Sequence, residues 1–431
     1  MDKSHYYDLA YAFRKAKPWK KIDENELFAV RVPSAAGGAE TIGYCCLMGR
    51  DGEHMALAVY PGAEGFSSYR RLAGNAFAFL MESSPITPEL FQQDCIQCSM
   101  EQQDQFTPED LDEVRAYCKA SHAPFRKPYP QFSRYRPWCM PWAVTEPDDW
   151  NAIETALLVV DKLGEALKKT SKVALGLHPI LVGLHDDTYA PMQIGLFDEP
   201  IDDGDAVTIP LFSIVDGELK SERIPLPPYT ETVFAPPHID ELSVARLRKG
   251  KQKGVFQCEV VRSPMPVDGE PPYLPALLMT VDREGLLRSP VMGEGIDYDP
   301  TAMLNEFIGY LDGERPRTIK VRTEETRILL EEFCKKAGIR LQVTDKLDLL
   351  DEAMENLQSS IFPDLDEDDD DDFEDVDAED ADIEEVLAML ESLSVEELRQ
   401  IPGFVMNQLL ELSEFLSPNL VKKIRQAGKK R

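Results

Sequence analysis

At 431 residues the chain is too long for one ordinary core, and the usual ~100–200 residues per domain predicts several units. A composition of 43% hydrophobic and 29% charged residues is that of a globular protein, and no window reaches the roughly 18 consecutive apolar residues of a membrane span. A formal charge of −32 repels nucleic acid at long range, which disfavours it as a partner.

The charge is unevenly spread. Residues 364–382, "DLDEDDDDDFEDVDAEDAD", hold fourteen acidic residues and no basic one, so removing them takes the formal charge from −32 to −18. A block that repels itself cannot bury a core, and it reads as a disordered linker. The start "MDKSHYYDLAYAFRK" lacks the apolar run and cleavage site of a signal peptide, and eight scattered cysteines are not a secreted disulfide framework. Reduced thiols and a cytoplasmic setting are expected.

In chain order, "HYYDLAYAFRKA" spaces Tyr6, Leu9, Ala10 and Phe13 on one helical face, with Pro18 beyond its end. "TIGYCCLMG" and "EHMALAVY", joined by "RDG", read as a hairpin. "PGAEG" reads as a turn before a further helix. Thr87 of "TPEL" and Thr107 of "TPEDL" each begin a helix, with threonine as cap, proline at the first position and an acid at the positive end. A long helix is expected over 148–170, then strands such as "MQIGLF", "AVTIPLFSIV" and "GVFQCEVV". From Tyr273 strands and helices alternate: "LPALLMTVD", "GLLRSPVM", "PTAMLNEFIGYLD", "TIKVRT", "EETRILLEEFCKKAG" and "IRLQVTD", with Gly338 at a helix end. Beyond the acidic run the chain is helical, with a capping box from Ser394 and a basic end.

The stretches "IGYCCLMGRDGEHMALAVYPGAEGFSSYRRL" and "FRKPYPQFSRYRPWCMPWAVT" resemble an uncharacterised bacterial family known as a domain of unknown function. Residues from Pro272 to about Leu347 resemble a second such domain that accompanies the first. The resemblance implies architecture and a bacterial cytoplasmic setting, and it transfers no catalytic residue.

Three constellations carry possible chemistry. Cys95, Cys98, Cys118 and His122 have the number and pair spacing of a zinc site. Against this, the first pair is expected to continue a capped helix and Cys118 falls at core spacing with Leu111 and Val114. The segment from Phe125 to Trp142 interleaves six aromatic residues with four basic ones and has no acid, so Arg126, Arg134, Arg136 and Trp138 are its candidate ligand-binding residues. The bland alternative, which the sequence favours, plugs the rings into a core and pairs the arginines with acids. Asp282, Glu324 and Asp345 stand at expected strand ends, where carboxylates hold magnesium for phosphoryl transfer in an order loosely like a ribonuclease H sheet. Only two strands precede the first helix in this reading, one fewer than that fold uses. His54 and His178 read as packed histidines.

The fold class expected is α+β, multi-domain: an α+β domain over 1–170, a β-rich middle over 171–271, a small α/β domain over 272–360, an acidic linker over 361–382 and a helical tail over 383–431. The function expected is that of a non-enzymatic binding or adaptor protein without a cofactor, meeting a protein partner through the tail or the basic aromatic segment. The acidic run is a second candidate occupant of that segment. The alternative is a metal-dependent nuclease-like enzyme, which requires the three carboxylates to converge.

Overall fold

The computed structural model describes residues 3–50, 52, 54–74, 91–181, 190–191, 207–311, 313–361 and 422–423. The chain divides into two compact units, Met1–Glu355 and Asn356–Arg431. The expected helix at Thr87, the strand "MQIGLF" and nearly all of the acidic run and tail lie outside the described residues.

The first unit opens with α1 (Ser4–Ala16), whose Tyr7, Ala10 and Phe13 are buried at helical spacing before Lys17 turns left-handed and Pro18 follows. The strands β1 (Phe28–Val32), β2 (Thr41–Met48) and β3 (Ala56–Pro61) form an antiparallel meander, so the expected hairpin is there. After α2 (Gly62–Gly74) come β4 (Cys95–Glu101), α3 (Pro108–Ser121), β5 (Tyr129–Tyr135), β6 (Trp142–Ala143) and α4 (Pro147–Ala166). β7 (Ile180–Leu181) and β8 (Ala190–Pro191) form a separate two-stranded ribbon, with Ile180 buried against the large sheet. Then β9 (Thr208–Val215) pairs in parallel with β1, and β10 (Glu218–Pro225) pairs antiparallel with β9. Strands from the expected middle region thus complete one eight-stranded sheet, ordered β10-β9-β1-β2-β3-β4-β5-β6.

Alternation along these strands gives the sheet two apolar faces. Phe28, Val30, Cys45, Leu57, Ile96 and Cys98 pack with α1, α3 and α4, where Trp150, Ile153, Leu157, Val160 and Leu163 supply the helical side. Each such side chain contributes about 1.5–3 kcal/mol by leaving water. Ala29, Tyr44, Cys46, Ala58, Tyr60 and Cys95 face the other way, towards Phe66 of α2. Gly65 is required there, because a Cβ would stand 2.7 Å from Pro61 Cδ and 3.2 Å from the Asp94 carbonyl oxygen.

The second sheet follows α5 (Glu241–Arg248) and runs β11 (Lys251–Arg262), β12 (Ala276–Val281), β13 (Val291–Met292), α6 (Pro300–Tyr310), β14 (Glu314–Val321), α7 (Glu324–Ala337), β15 (Arg340–Val343) and α8 (Asp348–Ile361). The order is β13-β12-β11-β14-β15, with β11, β14 and β15 parallel and β12 antiparallel to β11. Three strands therefore precede the first crossover helix α6, not two, because "GVFQCEVV" belongs to this sheet. Phe256, Cys258 and Val260 pack against α5, α6 and α7. Gln257 and Glu259 point to the opposite face, where Gln257 Oε1 accepts the Leu350 N–H of α8 at 3.0 Å. Gly338 is left-handed at the end of α7, at φ +67°, as a helix C-terminus prefers.

Candidate functional site

The cysteine and histidine set does not assemble. Cys95 and Cys98 lie three apart on β4, a strand and not a helix, so their side chains fall on opposite faces of the sheet. Cys118 is a core residue of α3, its Sγ 3.0 Å from the Tyr11 hydroxyl, and His122 is the exposed left-handed residue ending that helix. Burial pushes the Cys95 thiol up to about 12 and Cys98 up as well, against the thiolate that zinc needs. Among the described residues no group of three His, Cys, Asp or Glu side chains could hold a metal ion. His54 is exposed rather than packed, beside Gln97 and 3.7 Å from Glu101.

The basic aromatic segment is divided among structural tasks. Tyr129 and Phe132 enter the core from β5, and Phe125 stacks on Tyr129 at 4.6 Å. Arg134 is largely buried, its Nη1 2.6 Å from Asp94 Oδ1 and its Nε 3.3 Å from Asp149 Oδ2. Its charge is therefore met within the domain. Asp149 lines a cleft of about 150 Å3 with Val32, Ile42 and Ile96. Burial raises its carboxyl above the ordinary range, more than the neighbouring Arg134 lowers it. Arg126 and Arg136 are exposed, while Trp138 leaves this group altogether and faces the second sheet. The four residues do not form one surface.

Nor do the three carboxylates converge. Asp282 follows β12, whose last residue Val281 lies level with Gln257 of β11 and Lys320 of β14, two strands across the sheet from β14. Arg288 Nη2 stands 3.8 Å from Asp282 and 3.5 Å from Glu314, the first residue of β14. Among the described residues the three carboxylates form no group that could hold a metal ion. Asp282 instead accepts the backbone N–H groups of Glu284 and Leu286, at 2.9 and 3.2 Å, and Glu324 pairs with Arg327 at 2.6 Å. Asp345 is exposed beyond β15.

What does assemble lies at the carboxyl ends of β11 and β14. On one face Arg322 donates to buried Glu259 from Nε at 3.1 Å and Nη2 at 2.5 Å. The same guanidinium reaches Asp351 of α8 at 3.0 and 3.3 Å. One fixed cation thus holds two carboxylates from different elements. On the other face Arg262 Nη2 donates to Glu325 Oε1 at 3.1 Å, and the Tyr298 hydroxyl donates to the same oxygen at 3.0 Å. Burial, with the Glu325 charge second, raises the Tyr298 phenol well above its ordinary value. The Arg262 guanidinium lies 4.9 Å from the Trp138 ring and 5.6 Å from the Tyr298 ring. Trp138 is held there by the Leu274 N–H donating to its carbonyl at 2.8 Å, and Met140 N–H donates to the Pro272 carbonyl at 2.8 Å.

Residues 4–177 match the family described as "Domain of unknown function (DUF7309)", and residues 243–358 match "Domain of unknown function (DUF6930)". The chain joins these two domains of unknown function. No curated protein matches it. The HTLV-2 integrase catalytic core domain, solved in complex with magnesium in dimeric form, aligns at 15% identity over 33% of this chain and 88% of that one. Its TM-score of 0.19 carries no argument. Among the described residues no helix is long and apolar enough to cross a membrane.

The DUF6930 match begins at 243, ahead of β11, and so takes in the strand that sequence reading left in the middle region. Sequence reading also passed over Glu259, Arg322 and Asp351. A signal was present: Glu259 stands between Cys258 and Val260 in an apolar strand, and an acid so placed requires a cationic partner. In the DUF7309 domain, the signature "FSRYRPW" contributes Arg134 to its own interior and Trp138 to the neighbouring domain.

Proposed function

We propose that this chain is a non-enzymatic binding or adaptor protein. One observation carries the reading: the acids near the carboxyl ends of the DUF6930 strands are already engaged, Glu259 and Asp351 by Arg322, and Asp282 by the N–H groups of Glu284 and Leu286. A two-metal hydrolase needs several carboxylates free to bridge ions ~4 Å apart. A guanidinium seated between two of them takes the lone pairs a metal would use. The eight cysteines are all buried, which leaves no accessible thiol nucleophile.

A nuclease-like reading has one observation in its favour. Three strands before the first crossover helix, in the order β13-β12-β11-β14-β15, is the strand arrangement of ribonuclease H folds. Fold alone transfers no activity. The test is incubation of the full chain and of Glu259→Gln with single-stranded DNA, RNA and an RNA–DNA hybrid in magnesium or manganese. The binding reading expects no cleavage above the protein-free control. Metal-dependent cleavage by the wild-type chain that the variant loses would replace it with the nuclease.

A further inference from the structure

In open α/β sheets the crevice for ligands lies beyond the carboxyl ends of the strands, where neighbouring connections leave to opposite sides. In the DUF6930 sheet that place falls between β11 and β14, since β11 continues to β12 on one side and β14 to β15 on the other. Arg262 and Glu325 stand there, each mostly buried, with Tyr298 beside them. Arg262 and Glu325 cancel each other's charge, so the crevice is not built for a free anion. A flat guanidinium fixed by a carboxylate, with a phenol ring beside it, offers a face to another ring. That face is taken by Trp138 of the DUF7309 domain.

The backbone at Trp138 argues that the ring's position is specified. Its φ is +64°, a region that a bulky residue rarely adopts. Its N–H donates to the Phe91 carbonyl at 2.6 Å and its carbonyl accepts from Leu274, so both sides of the residue are tied while the ring points at Arg262. Buried Cys139 bridges to Tyr273 next to it.

We propose that the crevice formed by Arg262, Tyr298 and Glu325 is a binding site for a planar aromatic ring, occupied in cis by Trp138. Its ligand class is an uncharged aromatic heterocycle, and a free one enters the site when the Trp138 ring is absent. The proposal stands whichever way the question of catalysis falls, because it uses none of the carboxylates discussed for metal binding.

The test uses the full chain and indole as the probe. Trp138→Gly removes the ring, and glycine accepts the positive φ without strain, so the backbone keeps its path. Its thermal midpoint is expected to fall, and saturating indole is expected to raise it, with no shift in the wild-type chain. Arg262→Ala combined with Trp138→Gly is expected to lose the indole response. Indole that shifts neither chain, or shifts the single and double variants alike, overturns the proposal. Should Trp138→Gly fail to fold, Trp138→Phe and Arg262→Ala with their double variant form a second test. Losses in midpoint that simply add overturn the proposal, and a double loss smaller than the sum supports it.

Discussion

Arg322 shows how a single side chain can decide what a site does. Glu259 is buried on a strand and could not stay ionised alone without several kcal/mol of desolvation cost, so its partner sets the stability of that face. Arg322→Ala is expected to destabilise the fold by about 2–3 kcal/mol, less than for a fully enclosed pair because the arginine is partly exposed. Adding Glu259→Gln should restore part of that loss, since the uncompensated charge goes with it; urea unfolding of both variants measures the difference. Asp149 makes the opposite case. Burial raises its carboxyl pKa in the folded chain, so the native state holds the proton more tightly than the unfolded one. Its contribution favours folding below the ordinary carboxylate value and is lost as pH rises through the raised one. Asp149→Asn, which leaves Arg134 its contact with Asp94, is expected to flatten that fall in a pH series of urea midpoints. A variant with the same slope as the wild-type chain would contradict the assignment.

At the scale of elements, helix starts were the most legible feature. Thr107 caps α3 as its sequence announces: its hydroxyl accepts the Asp110 N–H at 3.2 Å, with Pro108 at the first position. Thr107→Ala is expected to cost about 1 kcal/mol, read as a lower denaturant midpoint at unchanged slope. The same grammar at Thr87 misled the reading of β4, because a helix expected there was extended into "DCIQCSM". Its alternation was a better guide, with Ile96, Cys98 and Met100 facing one core while Gln97 and Ser99 lie buried on the other face. β5 was hidden for a different reason. Pro130 and Arg134 look like loop chemistry, and only tertiary pairing with β4 and the acids Asp94 and Asp149 makes a strand of it. The α/β alternation after Tyr273 is legible because β14 and β15 are each followed by an amphipathic helix, whereas β11, expected as a strand, falls to the middle region because 13 residues separate it from the next strand.

For the first unit as a whole, the question is whether the DUF7309 and DUF6930 domains behave as separate bodies. They are joined in sequence by an extended stretch in which Val233 is 91% exposed, yet the chain is tied on either side of it. Thr230 N–H donates to Ser67 Oγ in the first domain at 2.9 Å, and His238 N–H donates to Thr301 Oγ1 in the second at 3.0 Å. Direct contact comes from the two backbone bonds between 138–140 and 272–274 and from the Trp138 ring on Arg262. Backbone bonds of ~0.5–1.5 kcal/mol each and a cation–π contact of up to ~2 kcal/mol give a coupling of about 2–5 kcal/mol. The tether reduces the association entropy that opposes that coupling, and what is left of it merges their unfolding when their separate stabilities differ by less. Scanning calorimetry of the full chain is therefore expected to show the two domains melting in one transition, and Arg262→Ala to broaden or split it. Two resolved domain transitions in the wild-type chain would mean that the contact is too weak to couple them, and the domains would then be independent binding modules on one chain.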